Sequence, residues 1–438
     1  MPFEFKINAD LTLELYGMKR TESCFSSLEL FAGAGGLALG VHDAGFKLLG
    51  LYEWNEFAVD TLRDNSSRVL DLDPKLIALG DVCDPEIDFT RHQGKVHLLA
   101  GGPPCQPFST AGLNRGHNDS RNLFPVFVDV IGAIRPLAVL VENVKGLLRP
   151  RFREYVQYIL KRIEFPLARP HEREDWPDHY ARLKSIRKNE FKKDEQYEVD
   201  FQLVDAADYG VPQRRERVIF TAFRRDTNLS PIVLKPTHSR AALLFDQWVT
   251  RGYWKRHGIR PREDHLLESD HMRVQRLCND FLGKKYSLNK PWVTVRDAIS
   301  DLEEPVLRGD KPRIPNHVQH PGARIYKCHI GSYWDFPAKA LKAGTNGTPG
   351  GENILRYSKK EFDASVRYFT TREAARLQTF PDTWIFHGSW GACIKQLGNA
   401  VPVTLARLYA FEIYNKLCDL HYNRVEGREH YVRNKAIG

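Results

Sequence analysis

The sequence predicts an α/β fold: a largely parallel sheet covered by helices, followed by a second, smaller domain. Three observations carry that expectation. From Ser27 to about Phe223, short apolar runs alternate with helical patterns, the rhythm of a parallel sheet. A glycine turn, "FAGAGG", follows the first apolar run and opens a helical stretch. Beyond Arg224 the rhythm breaks, and prolines, tryptophans and isolated basic residues take over to about Glu361.

In chain order, the expected strands are 27–31, 48–54, 96–100, 137–144, 201–207 and 217–223. Each is an apolar run of strand length, rich in Leu, Val, Ile and Phe and bounded by polar or turn residues. Helical periodicity marks Leu37–Ala44, Leu123–Ile134, Phe152–Ile163 and a long closing helix from about Val401 to Leu420. Residues 165–195 mix charges of both signs and read as a solvated helical insertion. The expected domain boundaries are 23–223 for the first domain, with 390–425 returning to it, and 224–389 for the second.

The chain has 438 residues, of which 42% are hydrophobic and 27% charged, the composition of a globular protein. No apolar run approaches the roughly 18 residues of a membrane span. The first residues lack the blocks of a signal peptide. Seven cysteines, none in a Cys-x-x-Cys arrangement, argue against a zinc site or a disulfide framework and fit a reducing cytoplasm. The net charge of +9 favours a polyanionic partner.

The glycine turn points to a ligand at the first strand's end. Gly33, Gly35 and Gly36 let the backbone turn tightly and approach a bound molecule. Neither G-x-G-x-x-G nor G-K-[ST] is present, so a pyrophosphate cradle is absent. Glu53 ends the second strand, where a carboxylate accepts from ribose hydroxyls, and Trp54 offers a flat face to an adenine ring. Asp81 in "GDVCD" stands where it can accept from an adenine amino group. An adenosine pocket without a pyrophosphate cradle suggests S-adenosylmethionine over a nicotinamide dinucleotide.

"GGPPCQPFS" (101–109) puts Cys105 at the end of another strand. A free cysteine is ordinarily a small buried hydrophobe. Here two glycines and three prolines hold it in a rigid turn at a sheet's carboxyl edge, where α/β proteins place functional groups. "LVENV" sets Glu142 at the mouth of a buried strand, and "QRRERVIF" sets Arg215 and Arg217 at alternating positions facing one side.

With these stretches in hand, the chain resembles the DNA (cytosine-5)-methyltransferases of bacterial restriction-modification systems. The motifs "FAGAGG", "YEW", "GDV", "GGPPCQPFS", "SRNLF", "VENV", "QRRERV", "REAARLQTFPD" and "QLGNAVP" stand in that family's order over 27–223 and 366–410. The resemblance implies a Rossmann-like S-adenosylmethionine-dependent fold with a smaller target-recognition domain. It implies Cys105 as nucleophile, Glu142 holding the base, and Arg215 stabilising charge on its carbonyl side, with Arg217 beside it. Phe31, Gly33, Gly35, Gly36, Glu53, Trp54, Asp81, Val82, Pro104, Leu123 and Asn399 would line the cofactor pocket, and Ser109, Arg121 and Gln213 would meet the substrate. Double-stranded DNA would be the partner, with the target base flipped out of the stack, and no metal is implied. A paired restriction endonuclease, a monomeric enzyme and a cytoplasmic, nucleoid-associated location would follow. Glu29 departs from the family's usual Asp. The variable stretch, above all "KAGTNGTPGGEN" (342–353), would read base edges. Cytosine-5 methylation of tRNA is the nearest alternative. A nicotinamide-dependent dehydrogenase would explain the glycine turn and Glu53 but leave Cys105 and Glu142 without a purpose.

Overall fold

The computed structural model describes residues 24–104, 122–261, 265–266, 268–282, 289–307, 309–324, 331–344, 353–356 and 366–436. Two compact units emerge from it. One comprises Met1–Leu203, Arg217–Val233 and Ala406–Gly438, and the other Val204–Glu216 and Leu234–Leu405. This division departs from the boundaries expected above. Residues 204–216 and 390–405 group with the second unit, and the closing segment rejoins the first only from Ala406.

The first unit is built on β1 (Ser26–Leu30), α1 (Gly36–Asp43), β2 (Lys47–Glu53), α2 (Glu56–Asn65), β3 (Ile77–Leu79), β4 (Leu98–Gly101), α3 (Phe124–Ile134), β5 (Ala138–Val144), α4 (Arg153–Glu164), α5 (Trp176–Ser185) and β6 (Tyr197–Asp205). After the two-residue β7 (Gln213–Arg214), β8 (Glu216–Arg224) completes its sheet. Seven strands lie in the order β3-β2-β1-β4-β5-β8-β6. The pairs among β3, β2, β1, β4 and β5 are parallel, and β8 runs antiparallel to β5. β1 and β4 are buried at every residue, as central strands covered on both faces must be. Sequence periodicity missed β3, only three residues long, and α2, whose apolar positions are sparse.

The helices α3 and α4 bury Phe124, Phe127, Ile131, Tyr155, Ile159 and Ile163 against Val139, Val141, Val218 and Phe220 of the sheet. The insertion is less solvated than its charge suggests. Asp175 caps α5, accepting from the Asp178 N–H at 3.1 Å, and Leu183 is fully buried. The His179 ring lies between the Tyr158 hydroxyl at 3.0 Å and the Ala168 carbonyl at 2.8 Å. A charged composition hid one apolar face.

The second unit contains β9 (His238–Ser239), α6 (Arg240–Leu244), α7 (Gly252–Arg256), α8 (His271–Leu282), β10 (Lys290–Pro291), α9 (Val295–Ile299), β11 (Ser332–Tyr333), β12 (Ala338–Lys339), β13 (Ile354–Arg356), β14 (Val366–Tyr368), α10 (Thr371–Leu377) and α11 (Trp390–Asn399). Its strands are short and pair in small groups, β9 with β10, β12 with β7, and β13 with β11 and β14. Ala207, Leu243, Tyr253, Trp254 and Trp292 form one core cluster. Thr370 and Glu373 close a capping box on α10. The last helix, α12 (Val403–Ala436), places Tyr414 edge-on to Phe25 and Phe46 of the first unit's sheet region, at ring centroid distances of 5.3 and 5.1 Å.

Candidate active site

The carboxyl ends of β1 and β4 lie side by side while their connections leave toward opposite halves of the sheet. Open α/β sheets bind ligands at such a switch point. The turn after β1 is built from left-handed residues: Phe31 at φ 58°, Gly33 at 55° and Gly35 at 87°. Glycine carries that conformation without strain, whereas Phe31 carries it at a cost, which marks a turn under constraint.

Glu53 fixes this turn from the neighbouring strand. Its carboxylate accepts the N–H groups of Gly33 at 2.7 Å, Trp54 at 3.0 Å and Asn55 at 2.9 Å. Burial raises its pKa, and the three backbone donors pull in the opposite direction. A carboxylate has about four acceptor sites, so one remains for a ribose hydroxyl. Trp54, next in the chain, is 73% exposed. A large indole left in water beside a glycine turn leaves its face open to a ring. Asp81 is exposed and accepts the Cys83 N–H at 2.9 Å, while Val82 packs into the core. Glu29 on β1 is 2% exposed, and neither carboxyl oxygen has a hydrogen-bond partner among the described residues. Burial, with the Glu53 charge added, pushes its pKa well above the usual carboxylate range. An orphaned buried acid, an exposed indole and an open glycine turn fit S-adenosylmethionine, which brings hydroxyls, an aromatic base and an ammonium group.

At the end of β4, the backbone passes through a gap that only glycine fits. A Cβ on Gly101 would lie 2.7 Å from both the Leu30 carbonyl oxygen and the Phe127 ring. One on Gly102 would sit 3.5 Å from Glu142 Oε2. Asn143, buried beside Glu142, donates from Nδ2 to the Pro103 carbonyl at 3.2 Å. The Leu123 N–H reaches the Pro104 carbonyl at 3.2 Å. Cys105, Ser109 and Arg121 lie outside the described residues. Asn143 went unremarked in the sequence; its signal was position, next to Glu142 in "LVENV".

Glu142 is buried at the end of β5, and Arg217 Nε on the antiparallel β8 stands 2.5 Å from its Oε1. The sheet explains the pairing, since Arg217 is opposite Val144 and Val218 opposite Asn143. Arg215 does not share this site. Its guanidinium is 1% exposed in the second unit and donates to the carbonyls of Leu341 at 3.2 Å, Gly398 at 2.7 Å and Ala400 at 2.9 Å. Arg215 therefore holds backbone, and of the two arginines it is Arg217 that stands at Glu142. The alternation rule failed because the chain leaves the sheet between β7 and β8, so the two arginines belong to different units.

Gln213 behaves like Arg215. It is fully buried, donates to the Leu377 carbonyl at 3.2 Å and accepts the Leu341 N–H at 3.0 Å. A side chain so enclosed is taken up in positioning backbone. Asn399 is exposed at the end of α11 and groups with the second unit. Of the segment 342–353, residues 345–352 lie outside the described residues. Its base is held by Asn353, which accepts the Lys342 N–H at 3.1 Å and donates to the Lys342 carbonyl at 3.0 Å. Among the described residues, no group of His, Cys, Asp or Glu comes together that could hold a metal ion. None of their helices is long and apolar enough to cross a membrane.

A parallel sheet that β8 joins antiparallel to β5, with a glycine turn after β1, is the frame of a Rossmann-like methyltransferase. The fold matches a solved DNA modification methyltransferase, described as putative, from a prophage of E. coli with a TM-score of 0.52, over 90% of this chain and 99% of that one at 20% identity. The sequence profile of the C-5 cytosine-specific DNA methylases matches residues 25–165 and 177–415, and the chain belongs to that family. It is 32% identical to the type II methyltransferase M.PspPI of Psychrobacter sp. (strain TA137), over 87% of this chain and 77% of that protein. It is 30% identical to M.Eco47II of Escherichia coli, over 89% of this chain and 78% of that protein.

Proposed function

We propose that this DNA cytosine-5 methyltransferase modifies one cytosine in a specific duplex sequence, using S-adenosylmethionine and a transient Cys105 adduct on a flipped base. The observation that carries the reading is the Glu142–Arg217 pair standing against Gly102, in the turn that leads directly to Cys105.

Carbon 5 of cytosine is a weak nucleophile. Addition of the Cys105 thiolate to carbon 6 turns the ring into an enamine with electron density at carbon 5. Glu142 would hold the ring nitrogen and exocyclic amine, keeping a proton at that nitrogen as the sulfur adds. Arg217 would keep the Glu142 carboxyl in place and face the ring's carbonyl oxygen. When bound in the pocket of Gly33, Glu53 and Trp54, S-adenosylmethionine supplies an electrophilic sulfonium methyl. Loss of the carbon 5 proton and departure of the Cys105 sulfur then release 5-methylcytosine and the free thiol. Asn143 would hold the Pro103 carbonyl and so the approach of residue 105.

A base within a duplex hides its faces, so the reaction needs the base outside the stack. The second unit would read the sequence, with segment 342–353 approaching base edges. The relatives' type II names support a role beside a restriction endonuclease that cuts the same site. Bisulfite sequencing of DNA from cells producing the protein should show one methylated motif. A duplex carrying 5-fluorocytosine in that motif should trap the protein covalently, because fluorine blocks the elimination. Turnover by Cys105→Ala, or no trapping of the wild type, would overturn the adduct.

A further inference from the structure

We propose that the basic strap Lys145–Arg153, which follows Glu142 and Asn143, clamps the phosphate backbone of DNA beside the base pocket. This inference rests on the DNA-methylating reading above. The strap "KGLLRPRFR" has four cations and no carboxylate in nine residues. Leu147 and Phe152 are buried in the sheet's core cluster and pin it at two points. Lys145, Arg151 and Arg153 are exposed and Arg149 is half-buried, so the charges face outward between those anchors. Arg151 lies over the Phe152 ring at 4.5 Å, which holds its guanidinium near the surface.

The surrounding arginines are neutralised, and Arg149 and Arg153 differ from them. Arg162 pairs with Asp129, Arg182 with Glu174, Arg217 with Glu142, Arg224 with Asp226 and Arg225 with Glu164. Arg149 and Arg153 make no ion pair among the described residues. Arg153 is moreover the first residue of α4, whose start has no side-chain cap. A cation there opposes the helix dipole, while Glu154, next in the same turn, complements it. The strap is mainly two short 3₁₀ turns.

The test is a salt titration of binding to a fluorescein-labelled duplex, read by anisotropy, for wild type and Arg149→Gln/Arg153→Gln. Each lost phosphate contact removes about 0.9 from the slope of log K against log salt, so the slope should fall by about one to two and affinity about tenfold or more near 0.1 M salt. Arg149→Lys/Arg153→Lys should keep most of the slope. Lys188→Gln/Lys193→Gln, on exposed positions of the insertion, should leave the slope as in the wild type. A wild-type slope in the double glutamine variant overturns the strap, as does an equal fall in the insertion variant. If the wild type itself leaves cytosine unmethylated, the failure lies in the reading on which the strap rests.

Discussion

Glu29 and Glu53 put two carboxyls at the ends of neighbouring parallel strands, and their environments differ in one respect. Glu53 accepts three backbone N–H groups, whereas neither oxygen of Glu29 has a hydrogen-bond partner among the described residues. The raised pKa of Glu29 means that the folded state binds its proton more tightly than the unfolded chain does. Its stability contribution is therefore complete below the unfolded carboxyl value, and it is lost as pH rises through the folded value. Glu29→Gln, neutral throughout, should flatten that loss. Thermal unfolding from pH 4 to pH 8 should show the variant gaining on the wild type as pH rises; parallel curves would mean that Glu29 is not held protonated. Trp54 gives the complementary expectation. Since its indole is 73% exposed, Trp54→Ala should leave the unfolding midpoint in place. It should weaken S-adenosylmethionine by about 1 kcal/mol, roughly fivefold in Kd by calorimetry. Unchanged affinity would move the adenine elsewhere.

At the scale of elements, "QRRERV" divides its labour across the step from β7 to β8. Arg217, on the strand, faces Glu142; Gln213 and Arg215, before it, fasten backbone around Leu341. Gly398 belongs to the same junction, since a Cβ there would come 2.3 Å from the Ala343 nitrogen. Arg215→Met keeps much of the volume, removes the Arg215 donors to the buried carbonyls of Leu341 and Gly398, and leaves that of Ala400 only Gln378 Nε2 at 3.4 Å. At about 1–3 kcal/mol for each unsatisfied group, the second unit should lose about 3 kcal/mol or more in urea unfolding. A loss below about 1 kcal/mol would show that Arg215 does not hold this junction. Asn143→Ala is the milder case, because it leaves one carbonyl, that of Pro103, without its donor.

Over the whole molecule, the chain enters the second unit at Val204, leaves it at Arg217, and re-enters at Leu234 until Leu405. A graft of residues 234–361 from a relative with another target should transfer that target while retaining Cys105 chemistry. The graft should work best when its segment matching 341–343 fits Gln213, Arg215 and Gly398. An active hybrid that still methylates the original site would place sequence reading outside this stretch.

Much of this was legible beforehand. Apolar runs located β1, β2, β4, β5, β6 and β8 within a few residues, because buried strands must be apolar whatever they pack on. The glycine turn, Glu53 and the proline-bounded approach to Cys105 were equally plain, since glycine, proline and acid at strand ends answer to local backbone geometry. What the sequence by itself determined was the sheet, the glycine turn at its carboxyl edge and the order of the motifs. The tertiary structure alone decided which arginine meets Glu142, that Arg215 and Gln213 carry backbone, and which unit holds 204–216 and 390–405. The physical reason is range. Strand pattern and turn chemistry act over a few residues, whereas the hydrogen bonds of Arg215 reach Leu341, 126 residues away, and Gly398, 183 residues away.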